Sequence, residues 1–309
     1  MGVRYSWERE HDEISNRIDT DARVLDRIAK RYSKEFDKEL NKAIRMFGSN
    51  GRLDPMKMHR SITIKQREVL RKSIRGWLKS GIYEQDKTFT NKMNRVLHKP
   101  NITREEFLAL NFHSITSRIR LEQKGKLLRS MYQTWLDSER TVARLTNVAF
   151  TRAGDDFIFK RIGAKFQGTS MLSRFFHQAS EMADQFMYAV RIAMNKGADI
   201  KGMALVVRYF FSKGDYRAKR ILLTESTRIS TEAKQMAFEK SGVKYYQYIS
   251  VMDDRTSKIC VRLDLHIYKV SQMRIGENAP PTHPNCRSSI KAYFIDDRTG
   301  ETSNYPIAN

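Results

Sequence analysis

Pro280-Pro281-Thr282-His283-Pro284-Asn285-Cys286-Arg287 leads directly into Ser289-Ile290-Lys291-Ala292-Tyr293-Phe294. Three of the six prolines of the chain fall between 280 and 284, and each fixes its own backbone angle, so this loop is stiff. The segment after it alternates, with Ile290, Ala292 and Phe294 on one face, as a half-buried strand does. Working back from the loop, Lys244 to Val251 is rich in tyrosine and β-branched residues and predicts another strand. Asp253-Asp254 is expected to cap a short helix carrying Cys260 and Leu263, and Ile267 to Val270 to form a further short strand.

Upstream of Ser241-Gly242 the pattern is helical. Val24, Ile28, Tyr32, Phe36, Leu40 and Ile44 recur about every four residues, which predicts one helix from Ile18 to Phe47, ended by Gly48-Ser49-Asn50-Gly51. Further helices are expected at about 61–81, 82–97, 103–124, 127–152, 172–195, 199–213 and 215–241. Thr103 with Glu106 three residues later forms a capping-box signature at the start of one of them. The fold class is therefore α+β, predominantly α-helical. We expect an elongated helical N-terminal body followed by a small C-terminal α+β module with a short β-sheet. In domain terms this is a basic helical region at 1–200, a module at 201–300 and a tail at 301–309.

Charge also divides the chain, but further on, at Tyr245. The 309 residues carry 57 Lys and Arg against 35 Asp and Glu, a net of +22. From Tyr245 onward there are eight basic and seven acidic residues, which leaves +21 on the first 244. An excess of this size attracts polyanions, because a surface tuned only for solubility mixes both signs. Its densest groups are Arg67, Arg71, Arg75 and Lys79, recurring at i+4, and Arg118, Arg120, Lys124, Lys126 and Arg129. Aromatic residues are scattered among them, so phosphate contact without base reading is expected of a nucleic-acid partner. No apolar run approaches the length of a membrane span, and no membrane partner is expected. Two cysteines do not make a disulfide framework, which places folding in a reducing compartment.

The module holds both cysteines. Cys260, His283 and Cys286 are residue types that bind zinc, and Asp264 or His266 would complete four ligands. The simpler reading is two buried thiols filling a small core, with no cofactor. A Cys-His nucleophile is the third reading, but Cys286 lies only three residues from His283, and no other hydrolase motif accompanies it. Arg255 and Arg287 stand beside turns, and Glu225 on the preceding helix is expected to reach one of them.

At these residues the chain resembles the tailed-phage head morphogenesis family, the minor head proteins that include the F protein of phage Mu. The resemblance rests on Asp254-Arg255-Thr256, Cys260, Leu263-Asp264, Tyr268 and Pro280 through Arg287, preceded by Thr224-Glu225, Arg228 and Gly242. His283, Pro284, Asn285, Cys286 and Arg287 are its core. It covers about Ala218 to Phe294. The extra cysteines of many members are Ser257 and Ser288 here, and the glycine usual after Leu-Asp is Leu265. The resemblance implies a non-enzymatic minor head (minor capsid) protein, incorporated into the procapsid in the host cytoplasm and then held in the virion. It also implies association with the portal protein, contact with scaffolding or major capsid protein, double-stranded DNA as the nucleic-acid partner, and a part in DNA packaging or ejection. The alternative is a metal- or cysteine-dependent enzyme acting on nucleic acid or protein within the head.

Overall fold

The computed structural model describes residues 2–149, 151–212, 214–295, 299 and 302–303, with side chains described in the first helix at residue 9 and from 12 onward. Its elements are α1 (Gly2–Arg31), α2 (Ser33–Phe47), α3 (Pro55–Met58), α4 (Ile64–Lys79), α5 (Lys87–His98), α6 (Arg104–Thr146), α7 (Asp155–Gly163), β1 (Lys165–Phe166), β2 (Thr169–Ser170), α8 (Met171–Asn195), α9 (Ile200–Ser212), α10 (Tyr216–Lys240), β3 (Tyr245–Ile249), α11 (Lys258–Leu263), β4 (Ile267–Lys269), β5 (Ser289–Ile295) and β6 (Thr302–Ser303). The chain is thus predominantly helical α+β. Of the tail expected at 301–309, only β6 lies within the described residues.

Contacts divide the chain into two compact units that are not consecutive in sequence. One gathers Met1–Arg23, Lys126–Lys165 and Ala218–Asn309; the other gathers Val24–Gly125 and Phe166–Arg217. The expected division at 200 and 300 runs in order along the chain.

The second of these units is all helix apart from short pieces, and its core is aromatic. Phe36 of α2 stacks on Phe112 of α6 at 5.2 Å and meets Phe186 of α8 edge-on at 4.6 Å. The capping box expected at α6 is present: Thr103 Oγ1 accepts from Glu106 N at 3.1 Å, and Glu106 Oε2 accepts from Thr103 N at 2.9 Å. Two expectations change here. Tyr32 interrupts the Ile18–Phe47 pattern as a single turn residue between α1 and α2. Conversely α6 runs through Gly125, where two helices were expected. Glycine weakens a helix by only about 1 kcal/mol, and full burial of Gln123 and Leu127 on either side holds the turns together.

In the other unit the sheet order is β4-β3-β5-β6, antiparallel throughout. Tyr246 stands opposite both Ala292 and Tyr268, and Tyr248 opposite Ile290. This register puts Tyr246, Ile290 and Ala292 into one core with Val142 and Leu145 of α6 and Ala237 and Phe238 of α10. The module therefore folds on a stretch of α6 far away in sequence. The short helix α11 is capped by Ser257, whose Oγ accepts from Cys260 N at 3.2 Å, and not by Asp253-Asp254.

Lys234 on α10 points into this layer. It is 4% exposed, and its Nζ donates to Ser289 Oγ at 2.6 Å and to Ile290 O at 3.4 Å, at the start of β5. Burial pulls its ammonium group down to about 8. Below that pH the fold holds a poorly solvated charge; between there and the unfolded value of about 10.4 the folded state sheds the proton first, so stability rises with pH. Urea melts of the full chain from about pH 7.5 to 9.5 should show stability climbing by an amount on the order of 1–3 kcal/mol. In Lys234→Met that slope should vanish.

Candidate functional site

α10 carries the site's foundation. Arg228 is 1% exposed, yet it keeps its charge in company. Its Nε donates to Glu225 Oε2 at 2.7 Å and its Nη1 to Glu232 Oε1 at 2.6 Å. Its two terminal nitrogens also donate to the carbonyls of Arg161 and Ile162 at 3.3 Å. Those carbonyls end α7, where orphan acceptors and the negative end of the helix dipole favour a cation. Arg161 in turn pairs with Glu232 at 3.0 Å, so two cations balance two carboxylates.

This arrangement corrects the expectation that Glu225 fastens Arg255 or Arg287. The i,i+3 neighbour takes Glu225, because one helical turn brings Arg228 within reach at no cost in loop ordering. Arg287 instead forms a two-pronged pair with Asp253, with Nη1 donating to Oδ2 at 2.7 Å and Nη2 to Oδ1. Arg255 lies 3.6 Å from Asp253 and is largely exposed. Asp253, which the sequence motif passed over in favour of Asp254, is the organiser of this turn. Its Oδ1 accepts from Arg255 N at 3.0 Å and from Thr256 Oγ1 at 3.2 Å. Arg287 holds the Asp253 carboxyl well below the usual carboxylate range. Asp254 is exposed, and Thr256 closes the turn by accepting from Asp253 N at 2.9 Å.

Two threonines of α10 grip the proline loop on either side of its second cysteine. Thr224 Oγ1 accepts from Asn285 N at 3.0 Å, and Thr227 Oγ1 donates to Cys286 O at 2.7 Å. Thr227 is absent from the sequence motif; its i+3 spacing from Thr224 was the available signal. Asn285 takes the left-handed conformation (φ 62°), which lets Cys286 N turn back to His283 O at 3.2 Å. Pro284 is exposed at the outer edge of this turn.

Inside the loop Cys260, His283 and Cys286 meet, as do two hydroxyls. Cys260 Sγ is 3.8 Å from Cys286 Sγ and 3.1 Å from His283 Nε2. Tyr248 Oη lies 3.4 Å from Cys260 Sγ, and Thr282 Oγ1 lies 3.6 Å from it. The shared proton between the sulfurs, donated by Cys286, lowers the Cys260 thiol and raises that of Cys286. Burial keeps the Tyr248 hydroxyl protonated and able to donate. His283 Nδ1 donates to Pro284 O at 2.8 Å, which fixes the tautomer with the Nε2 lone pair facing the sulfur. Both sulfurs are buried, so a Cys-His nucleophile here would have no access to a macromolecular substrate.

The two expected outer ligands stand elsewhere. Asp264 accepts from Ser250 N at 2.8 Å, bracing the end of β3, and His266 is exposed with its ring stacked over Tyr268. Between them Leu265 has φ 62°, a left-handed position, which is the physical reason a glycine suits this place in the motif.

Residues 184–291 match the family described as Phage Mu protein F like protein. The match ends inside β5 and begins within α8, upstream of the Ala218 at which the resemblance in motif starts. The matched segment is 108 of the 309 residues. No curated protein and no solved structure matches the chain. Every polar residue described above from Thr224 to Arg287 lies within the Mu F-like segment.

The basic candidates sit outside that segment and fare unevenly. Arg120 is fully buried, with its guanidinium paired to Asp215 and Gln123, so it cannot meet a phosphate. Arg67 and Arg71 donate to the carbonyls of Pro100 and Lys99 just beyond α5, a capping role. Arg118 pairs with Glu35 and Lys126 with Asp21. Arg75, Lys79 and Arg129 are exposed, and Lys124 is half-buried. An i+4 stripe of cations thus mixes solvent contacts with helix caps, which spacing alone does not separate.

Removing Arg228 leaves two carboxylates in the interior. Arg228→Ala should cost roughly 3–5 kcal/mol in denaturant melts. Arg287→Ala, which breaks a solvent-screened pair, should cost a small fraction of that.

Proposed function

We propose that the protein is a non-enzymatic minor head component that docks on the portal through its C-terminal α+β module and contacts packaged DNA through its basic helices. The single observation that carries this reading is the Mu F-like match at 184–291; the end of that segment, from Tyr245, lies in a stretch with eight basic and seven acidic residues, while +21 resides in the first 244 residues. Arg228, Asp253 and Arg287 are spent on internal pairs, and the sulfurs are enclosed, as befits a docking fold. Among the described residues, no helix is long and apolar enough to cross a membrane. The reading places the protein in the procapsid during assembly in the host cytoplasm and in the head interior afterwards.

DNA contact by such a surface releases counterions. Binding of the full chain to duplexes of unrelated sequence should weaken about 10³- to 10⁵-fold between roughly 50 and 200 mM salt if six to ten phosphates are engaged. The triple change Arg75→Glu, Lys79→Glu, Arg129→Glu should lower affinity equally for every sequence and flatten the salt slope. Arg120→Met should leave the slope as it is. Affinity indifferent to salt would overturn the DNA part, and failure to cosediment with portal-bearing procapsids would overturn the docking part.

A further inference from the structure

We propose that Cys260, Cys286 and His283 form a structural binding site for a thiophilic divalent cation, zinc by its chemistry, that clamps α11 to the proline loop. Their three ligand atoms lie within 4.8 Å of one another, the one such group of His, Cys, Asp and Glu among the described residues. Zinc–sulfur bonds near 2.3 Å put two sulfurs of a tetrahedron ~3.8 Å apart. The sulfurs here stand 3.8 Å apart before any ion is considered. The same tetrahedron asks for ~3.6 Å between sulfur and nitrogen. The 3.1 Å from Cys260 Sγ to His283 Nε2 is shorter, so ligation asks the half-buried ring to move outward by about half an ångström.

The surroundings complete the case. A metal-binding imidazole needs its far nitrogen held by an acceptor, so that the near one offers its lone pair. Pro284 O supplies that acceptor to Nδ1 at 2.8 Å. Ligating sulfurs are steadied by hydrogen-bond donors, and the Tyr248 hydroxyl stands 3.4 and 3.9 Å from the two sulfurs. Thr227 fixes the backbone of Cys286 through its carbonyl at 2.7 Å, and Ser257 fixes that of Cys260 through its amide at 3.2 Å. Three protein ligands leave one position, and Thr282 Oγ1, 3.6 Å from Cys260 Sγ, borders it together with Tyr248. Two thiolates and an imidazole favour zinc over magnesium or calcium, which prefer oxygen. Burial of both sulfurs gives the ion a fastening role, in a protein without a disulfide between them.

The full chain, purified with zinc and passed through gel filtration, should retain one zinc per chain by elemental analysis. Cobalt(II) in its place should give an intense sulfur-to-metal absorption and the visible bands of a tetrahedral site. Cys260→Ser with Cys286→Ser should abolish both signals. Because that pair of changes touches the core, His283→Gln provides the second arm: with an unchanged circular dichroism spectrum it should bind zinc at least tenfold more weakly than the natural chain. Zinc retained no better by the natural chain than by the serine variant, a cobalt spectrum without sulfur absorption, or unaltered affinity in His283→Gln would each overturn the site. DNA affinity is a separate readout, and either result leaves it where it was.

Discussion

Arg228 brings a full positive charge into the interior, and the arrangement of the module follows from how that charge is satisfied. An unpaired guanidinium there would cost several kcal/mol. Glu225 and Glu232 neutralise it from its own helix, and the carbonyls at the end of α7 take its remaining donors. The rotation of α10 about its axis is thereby set. With it are set the directions of Thr224 and Thr227, one turn apart, which hold the proline loop by its backbone. The loop then delivers Cys286 and His283 to Cys260 and carries Arg287 to Asp253. Each step passes geometry from a helix to a loop through groups that sequence spacing makes neighbours.

Polar residues of this kind in an open cleft would be placed for catalysis; here most of them are buried. Arg228, Glu225 and both sulfurs are nearly inaccessible, while Arg287 and Asp253 form a partly exposed pair. What these groups do in the structure is fasten one element to the next. The structural part in head assembly proposed above asks for this: a compact fold that keeps its shape while neighbouring proteins are added around it.

Much of this was legible in the sequence, for physical reasons that differ from element to element. The strands β3, β4 and β5 follow from alternation and tyrosine content, and the α6 start follows from the Thr103–Glu106 pair, because these signals are local. The continuity of α6 through Gly125 was not legible, since packing on both sides outweighs a weak intrinsic preference. Nor was the partner of Glu225: the choice between a distant arginine and one a turn away depends on which way α10 faces. The convergence of Cys260, His283 and Cys286 was readable from residue type, whereas Asp264 and His266 were excluded only by where β3 ends. Among the basic residues, spacing located a stripe but could not tell Arg120, buried against Asp215, from Arg75 in solvent.

The central claim is that α10 holds the proline loop as a fixed part of the fold. Native-state hydrogen exchange of the full chain, resolved at single amides, tests it most directly. The account has Asn285 N–H, held by Thr224, and Cys286 N–H, held by the turn to His283, exchanging as slowly as the buried amides around Arg228 and opening together with them. Exchange of those two amides at the rate of an unstructured loop, while α10 stays protected, would contradict it.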